Sequence, residues 1–107
     1  MNNPRRLNSA RRNKLRARVL ATYTHCHLCG KPVDKSLAGT VLPGAPEVDE
    51  IIPVSRGGNP YAFENCQLAH RACNRLKSNH TTAWARARLA QQPPELGAGR
   101  VNETSMW

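Results

Sequence analysis

Four side chains that offer oxygen ligands lie in the middle of this 107-residue chain. Asp49 and Glu50 are adjacent, and Asn65 and Asn74 follow further along. Carboxylate and amide oxygens are the ligands that a hard cation such as Mg²⁺ prefers. An ion with few protein ligands keeps positions for water and phosphate oxygens, and it can stabilise the charge that develops when a phosphodiester is hydrolysed. The four residues therefore indicate a catalytic site for Mg²⁺ or Mn²⁺.

A second metal site is indicated by two pairs of sulfur and nitrogen ligands. Cys26-x-x-Cys29 and His70-x-x-Cys73 each have the spacing with which two ligands reach one tetrahedral ion, and thiolates with imidazole suit Zn²⁺. Four protein ligands leave no open position, so this zinc would be structural. The alternative is a set of buried free thiols. Cys66 lies outside both pairs, and we expect it to pack in the core.

The composition limits both the fold and the function. The chain has 16 Lys and Arg against 7 Asp and Glu, a formal charge of +9, and only five aromatic Phe, Trp and Tyr residues. So small a core often needs a metal to hold it, whereas the positive charge favours a polyanion such as nucleic acid. No apolar run is long enough to span a membrane, and the basic N-terminus lacks the apolar stretch of a secretory signal. We expect a cytoplasmic protein.

Local patterns predict a small α+β domain between two irregular ends. We expect a flexible basic arm over residues 1–9, a domain over 10–91 and a disordered tail over 92–107. Within the domain, apolar spacing and turn residues predict the following elements. They are a basic amphipathic helix over about 10–22, a strand over Val48–Val54, a short strand over Cys66–Leu68, and helices over 71–79 and 81–91.

Taken together, these motifs resemble the HNH endonuclease family, and in particular its small phage-type members. The resemblance spans about residues 12–80. It rests on an ordered series: Cys26-x-x-Cys29, Asp49-x-Ile51-Ile52-Pro53, Gly57-Gly58, Glu64-Asn65, His70-x-x-Cys73 and Asn74-x-x-Lys77. His70 stands where members of the family with two Cys-x-x-Cys pairs have their third cysteine, an exchange that zinc tolerates.

The resemblance implies a ββα-metal fold, in which a hairpin and a helix hold one divalent ion against the scissile phosphate. Asp49 and Asn74 correspond to metal ligands, and Asn65 corresponds to the residue that orients the catalytic loop. Glu50 stands where the family has the histidine that acts as general base. An unperturbed Glu has a pKa of about 4.3, so it is a weaker proton acceptor than His.

Three roles are therefore open for Glu50. It can act as the base if its surroundings raise its pKa, or it can be a further metal ligand. The third outcome is that catalysis has been lost. His25 and His80 could replace the base, but neither occupies a motif position.

The leading functional hypothesis is a metal-dependent endonuclease of duplex DNA with low sequence specificity. We expect it in a bacterial host, encoded by a phage or mobile element, with packaging proteins as possible partners. The alternative is a zinc-stabilised nucleic-acid-binding module with impaired catalysis. Five cations are predicted to contact phosphates: Arg12, Arg16, Arg56, Arg75 and Lys77.

Overall fold

The structure, a computed structural model, describes residues 4–97, with side chains from residue 9 onward. In that part of the chain the helices and strands follow one another as α1 (Pro4–Thr22), β1 (Pro46–Glu50), β2 (Cys66–His70), α2 (Arg71–Lys77) and α3 (Thr82–Gln91). Single turns of 3₁₀ helix occur at Lys35–Leu37, Val54–Arg56 and Phe63–Asn65. None of the described helices combines the length and the hydropathy that a membrane crossing requires.

The two strands form an antiparallel hairpin between two helices. Glu50 pairs with Cys66 at one end of the ladder, and Pro46 pairs with His70 at the other. Arg12 of α1 reaches Glu50, whereas Lys77 of α2 reaches the neighbouring Asp49. Because successive strand residues point to opposite faces of a sheet, α1 and α2 lie on opposite faces of the hairpin. This arrangement confirms the predicted small α+β fold with helices on either side of the strands.

The core is thin and contains few large side chains. α1 contributes Leu15 and Val19, β2 contributes Leu68, and α3 contributes Ala85 and Leu89. The largest fully buried side chains include Lys77 and His70, neither of which is apolar. Apolar burial in so small a domain is modest, so polar pairing and metal binding matter for its stability.

Helix α1 is longer than the sequence pattern predicted. It begins at Pro4 rather than near residue 10, and proline is favoured in the first turn of a helix because its missing N–H would have no partner there. The segment predicted as a flexible arm therefore overlaps the helix from Pro4 on, while residues 1–3 lie outside the described residues. The same holds for residues 98–107 of the predicted tail. The domain boundaries stay predictions.

The first strand is shorter and earlier than predicted. It runs from Pro46 to Glu50 and not to Val54. After Glu50, the N–H of Ile52 donates to Oδ1 of Asn65, and the carbonyl of Ile52 accepts from Nδ2 of Asn65. The backbone of Ile52 therefore bonds to a side chain and not to the neighbouring strand. Ile52 and Val54 are 51% and 55% exposed. Their β-branched side chains suggested a strand, but they lie on a surface loop.

The later elements lie close to their predicted positions. β2 extends two residues beyond the predicted Leu68, to His70. α2 ends at Lys77 because Ser78 adopts a positive φ of 48°. α3 begins after Thr81, whose hydroxyl accepts a hydrogen bond from the N–H of Trp84 as an N-cap. The predicted helix over 81–91 is confirmed.

Candidate active site and zinc centre

Four side chains converge on a site that suits zinc. The sulfur atoms of Cys26, Cys29 and Cys73 and a ring nitrogen of His70 lie within 4.8 Å of one another. Nδ1 of His70 is 3.3 Å from Sγ of Cys29 and 3.8 Å from Sγ of Cys73. Ligand atoms around a tetrahedral zinc are about 3.3 to 3.8 Å apart. The predicted Cys₃His group is therefore assembled with the spacing that zinc requires.

The first pair of ligands is carried by a tight turn. Gly30 follows Cys29 with a φ of 82°, a conformation that favours glycine, and its N–H donates to the carbonyl of Cys26. The N–H of His27 donates to the carbonyl of Leu68 in β2. The turn is thus fixed directly onto the strand that leads to the second pair.

The second pair lies at the junction of β2 and α2. His70 is the last residue of the strand, and Cys73 lies in the first turn of the helix. Nε2 of His70 faces the carbonyl oxygen of Pro32 at 2.9 Å, so Nε2 must carry the proton and Nδ1 is left for a metal. One hydrogen bond therefore selects the ring nitrogen that binds the metal.

Hydrogen bonds among the thiols of this group, together with burial, shift their pKa values. A hydrogen bond from the Cys73 thiol lowers the pKa of Cys26 to about 3, against an opposing effect of burial. The same contact raises the pKa of Cys73. Burial raises the pKa of Cys29. A thiolate is the form that binds zinc, so the lowered pKa of Cys26 is consistent with its position in the ligand group.

Asp49 lies beside this centre and is fully engaged by neighbouring side chains. It is 3% exposed. Its Oδ1 accepts from Nζ of Lys77 at 3.0 Å and its Oδ2 accepts from Nε2 of His27 at 2.7 Å. Lys77 also donates to the carbonyl of Glu50, and it is 0% exposed. The prediction that Lys77 contacts phosphates is therefore wrong, because its ammonium is buried against an acid.

Asn74 faces a carboxylate that the sequence patterns did not single out. Its Nδ2 donates to Oε1 of Glu47 at 2.9 Å. Glu47 also accepts from Arg71 at 3.0 Å and lies 3.7 Å from Arg75. Because side chains alternate along a strand, Glu47 shares a face with Asp49. That period of two is the signal that could have identified it.

Glu50 points away from this group, to the opposite face of the hairpin. Its Oε2 is 3.5 Å from a guanidinium nitrogen of Arg12 on α1, and its side chain is 23% exposed. Arg12 also donates to the carbonyl of Pro60 at 2.5 Å. Glu50, which stands at the position of the family's base, therefore lies next to Arg12 of α1.

Asn65 braces the loop between the strands. Its Oδ1 accepts from the N–H of Ile52 at 2.9 Å, and its Nδ2 donates to the carbonyls of Ile52 at 3.0 Å and Asn59 at 3.2 Å. A Cβ at Gly58 would be 1.7 Å from the carbonyl oxygen of Ile52, so the loop can close only with glycine there. The geometry matches the loop-orienting role that the resemblance implies.

Replacement of Asn65 tests this brace. We expect Asn65→Asp to lower the free energy of unfolding by about 1–3 kcal/mol, as much as Asn65→Ala, because an oxygen would replace the amide nitrogen opposite two carbonyls. Chemical denaturation with zinc present measures it. Asn13→Asp makes the same change at an exposed position of α1 and should cost less than about 0.5 kcal/mol. If Asn65→Asp has the same free energy of unfolding as the wild-type protein, the hydrogen bonds of the amide nitrogen do not stabilise the loop.

The remaining predicted contacts are on the surface. Arg16 is exposed, Arg56 donates through Nε to the carbonyl of Asn79 at 2.9 Å, and the side chain of Arg75 is 63% exposed. His80 stacks on Trp84 with ring centroids 3.8 Å apart, and His25 contacts the Thr24 hydroxyl. Neither histidine has a described contact with Glu50.

The hairpin and the following helix define a small ββα domain with a Cys₃His group placed to bind zinc. The model of the family HNH endonuclease matches residues 26–80, which is just over half of the chain. The chain belongs to the HNH endonuclease family. No curated protein and no solved structure matches it. Helices α1 and α3 lie outside the matched residues.

Proposed function

We propose that this chain is a metal-dependent endonuclease that hydrolyses phosphodiester bonds of duplex DNA with low sequence specificity. One arrangement supports the proposal: Asp49 on β1, Asn65 directly before β2 and Asn74 on α2 stand at the family's motif positions, in a ββα unit that also contains the Cys₃His group. The formal charge of +9 adds affinity for a polyanion. We place the protein in a phage or mobile-element setting in the cytoplasm of a bacterial host, with packaging proteins as candidate partners.

The divalent ion in this proposal is Mg²⁺ or Mn²⁺ bound by Asp49 and Asn74. On the α2 side of β1 the side chains offer carboxylate and amide oxygens, including those of Glu47, and this donor set fits a hard cation. Such an ion supplies positive charge that stabilises the developing phosphorane and the leaving oxygen.

The side chains of this chain supply the rest of the proposed mechanism. Asp49 and Glu50 leave the end of β1 on opposite faces, so Glu50 would accept the proton of the attacking water from the side of the phosphate away from the ion. Asn65 holds the loop that follows Glu50. Arg56 and Arg75 contact backbone phosphates from the surface, which positions the duplex without reading its sequence. Lys77 contributes by neutralising Asp49 and makes no phosphate contact.

A specific observation favours a second candidate, a zinc-stabilised nucleic-acid-binding module without catalysis. Both oxygens of Asp49 are hydrogen-bonded, to Lys77 and to His27, and the carboxylate is buried. A divalent ion at Asp49 would lie near a buried ammonium, which costs Coulomb energy. In this candidate Asp49 is a structural acid and the cations of the surface bind DNA.

Nicking of supercoiled plasmid tests the proposed activity. We expect zinc-loaded protein to convert the plasmid to open-circle and linear forms with Mg²⁺ or Mn²⁺, and to stop when EDTA is added. The family resemblance implies 5′-phosphate and 3′-hydroxyl ends, which ligation of the products checks. DNA binding without nicking under any of these ions supports the binding module and contradicts the endonuclease.

The identity of residue 50 gives a sharper test of the mechanism. We expect Glu50→His to raise the nicking rate on the order of tenfold at neutral pH, because an imidazole pKa of about 6.5 matches the working pH better than a carboxylate. Glu50→Gln, which keeps the size and removes the base, should lower the rate. If Glu50→His is as inactive as Glu50→Gln, the carboxylate does not act as a simple base.

A further inference from the structure

Helix α1 lies outside the residues that match the family, yet its Arg12 contacts Glu50, which stands at the position of the family's base. A polar cleft of about 210 Å³ runs between α1 and the edge of β1. Arg12, Asn13 and Arg16 line it from the helix, and Glu47 and Val48 line it from the strand. Two guanidinium groups one helical turn apart thus face the same cleft.

From residue 9 onward, where the structure describes side chains, the arginines of α1 have two kinds of surroundings. Arg11 lies over the ring of Tyr61 at 4.0 Å and Arg18 lies over the ring of Phe63 at 3.8 Å. These two hold the loop that precedes β2 by cation–π contacts. Arg12 and Arg16 line the cleft, and Arg12 also reaches the loop by donating to the carbonyl of Pro60. Among the described residues Arg16 has no ion pair or hydrogen bond.

The charge balance of the cleft favours an anion. Among the described residues that line it, Glu47 is the one acid, and that carboxylate is already paired with Arg71 and Arg75 from α2. Arg12 is 3.5 Å from Glu50 and therefore connects the cleft to the position of the family's base. An exposed, unpaired guanidinium beside a partly paired one is the arrangement that recognises a phosphate group.

We propose that Arg12 and Arg16 form a phosphate-binding subsite, in which a DNA backbone phosphate lies in the cleft between α1 and β1 beside Glu50. The inference rests on the proposed function, because it takes DNA as the ligand. Helix α1 then has two tasks: Arg11 and Arg18 fix the loop that contains Asn65, and the cleft arginines hold the strand to be cut.

The salt dependence of DNA binding tests this subsite without requiring cleavage. Each phosphate contact contributes about 0.9 to the slope of log K against log salt concentration on B-DNA. We expect Arg12→Gln/Arg16→Gln to reduce the slope for a duplex oligonucleotide by about two and to weaken binding on the order of tenfold at low salt. Circular dichroism and zinc content confirm that the variant is folded.

A charge-matched control separates the cleft from general attraction. Lys14→Gln/Lys31→Gln also removes two positive charges, one from the exposed face of α1 and one from the surface of the zinc turn. It should change the slope by much less than two. Equal slopes for the two double variants overturn the subsite while leaving DNA binding intact. Absence of DNA binding by the wild-type protein overturns the subsite and the proposed function together.

Discussion

The Cys₃His group is expected to bind a zinc ion, and removal of that ion is expected to unfold the protein. Its ligands join the turn at residues 26–29 to the junction of β2 and α2, across a core with few large apolar side chains. The apparent binding free energy of a structural zinc site is about 10–16 kcal/mol, as large as the whole stability of a typical domain. A strong chelator should abolish the cooperative thermal transition, and re-addition of zinc should restore it.

Cysteine substitutions supply the matched control for this prediction. Cys29→Ser removes a ligand and should give a protein without bound zinc or a folded core. Cys66 is buried but lies outside the ligand group, and burial raises the pKa of its thiol. Cys66→Ala should keep one zinc per chain and lose only about 1–2 kcal/mol. Zinc retention by Cys29→Ser, or zinc loss by Cys66→Ala, would contradict the assigned ligand set.

Loss of the Lys77 ammonium is expected to have the second largest effect. Lys77→Met should lower the free energy of unfolding by about 3–5 kcal/mol, measured by chemical denaturation with zinc present. The ammonium is buried between the carboxylate of Asp49 and the carbonyl of Glu50. Its removal leaves the buried carboxylate with His27 as its one remaining side-chain partner among the described residues.

Arg75→Met is the control from the same helix. Its guanidinium lies 3.7 Å from Glu47 but its side chain is 63% exposed, so solvent screens the pair. An exposed ion pair contributes about 0–1 kcal/mol. We expect Arg75→Met to cost no more than that. If Lys77→Met and Arg75→Met lower the free energy of unfolding by similar amounts, Lys77 is not a buried ion-pair partner of Asp49.

The zinc centre was the part of the site most accessible from sequence. The two-residue spacing within each ligand pair is visible in the sequence, and the structure brings all four side chains together as predicted. The role of Asn65 in the loop followed from a motif position, and its three hydrogen bonds agree with it. Short-range sequence patterns were sufficient to predict these residues because each acts within a motif of fixed spacing.

The failures came from contacts between distant segments. Lys77 is three residues after Asn74 on a basic helix, which suggested a solvent-facing cation, and its burial depends on where β1 places Asp49. His27 reaches Asp49 only because the turn at residues 26–29 is hydrogen-bonded to β2 through Leu68. Ile52 and Val54 were predicted in a strand because β-branched residues have a high strand propensity. That propensity does not show whether a partner strand is present, and β1 ends before these residues. None of these contacts has a local sequence signal.

The ββα unit is proposed to cut DNA and not merely to bind it. Nicking of supercoiled plasmid by the wild-type protein and by Asn74→Ala, both at saturating DNA and with Mg²⁺, distinguishes cutting from binding. We expect equal DNA affinity, because Asn74 carries no charge, and a loss of nicking on the order of a hundredfold or more in the variant. Equal nicking rates for the two proteins, or no metal-dependent nicking by either, would contradict the claim.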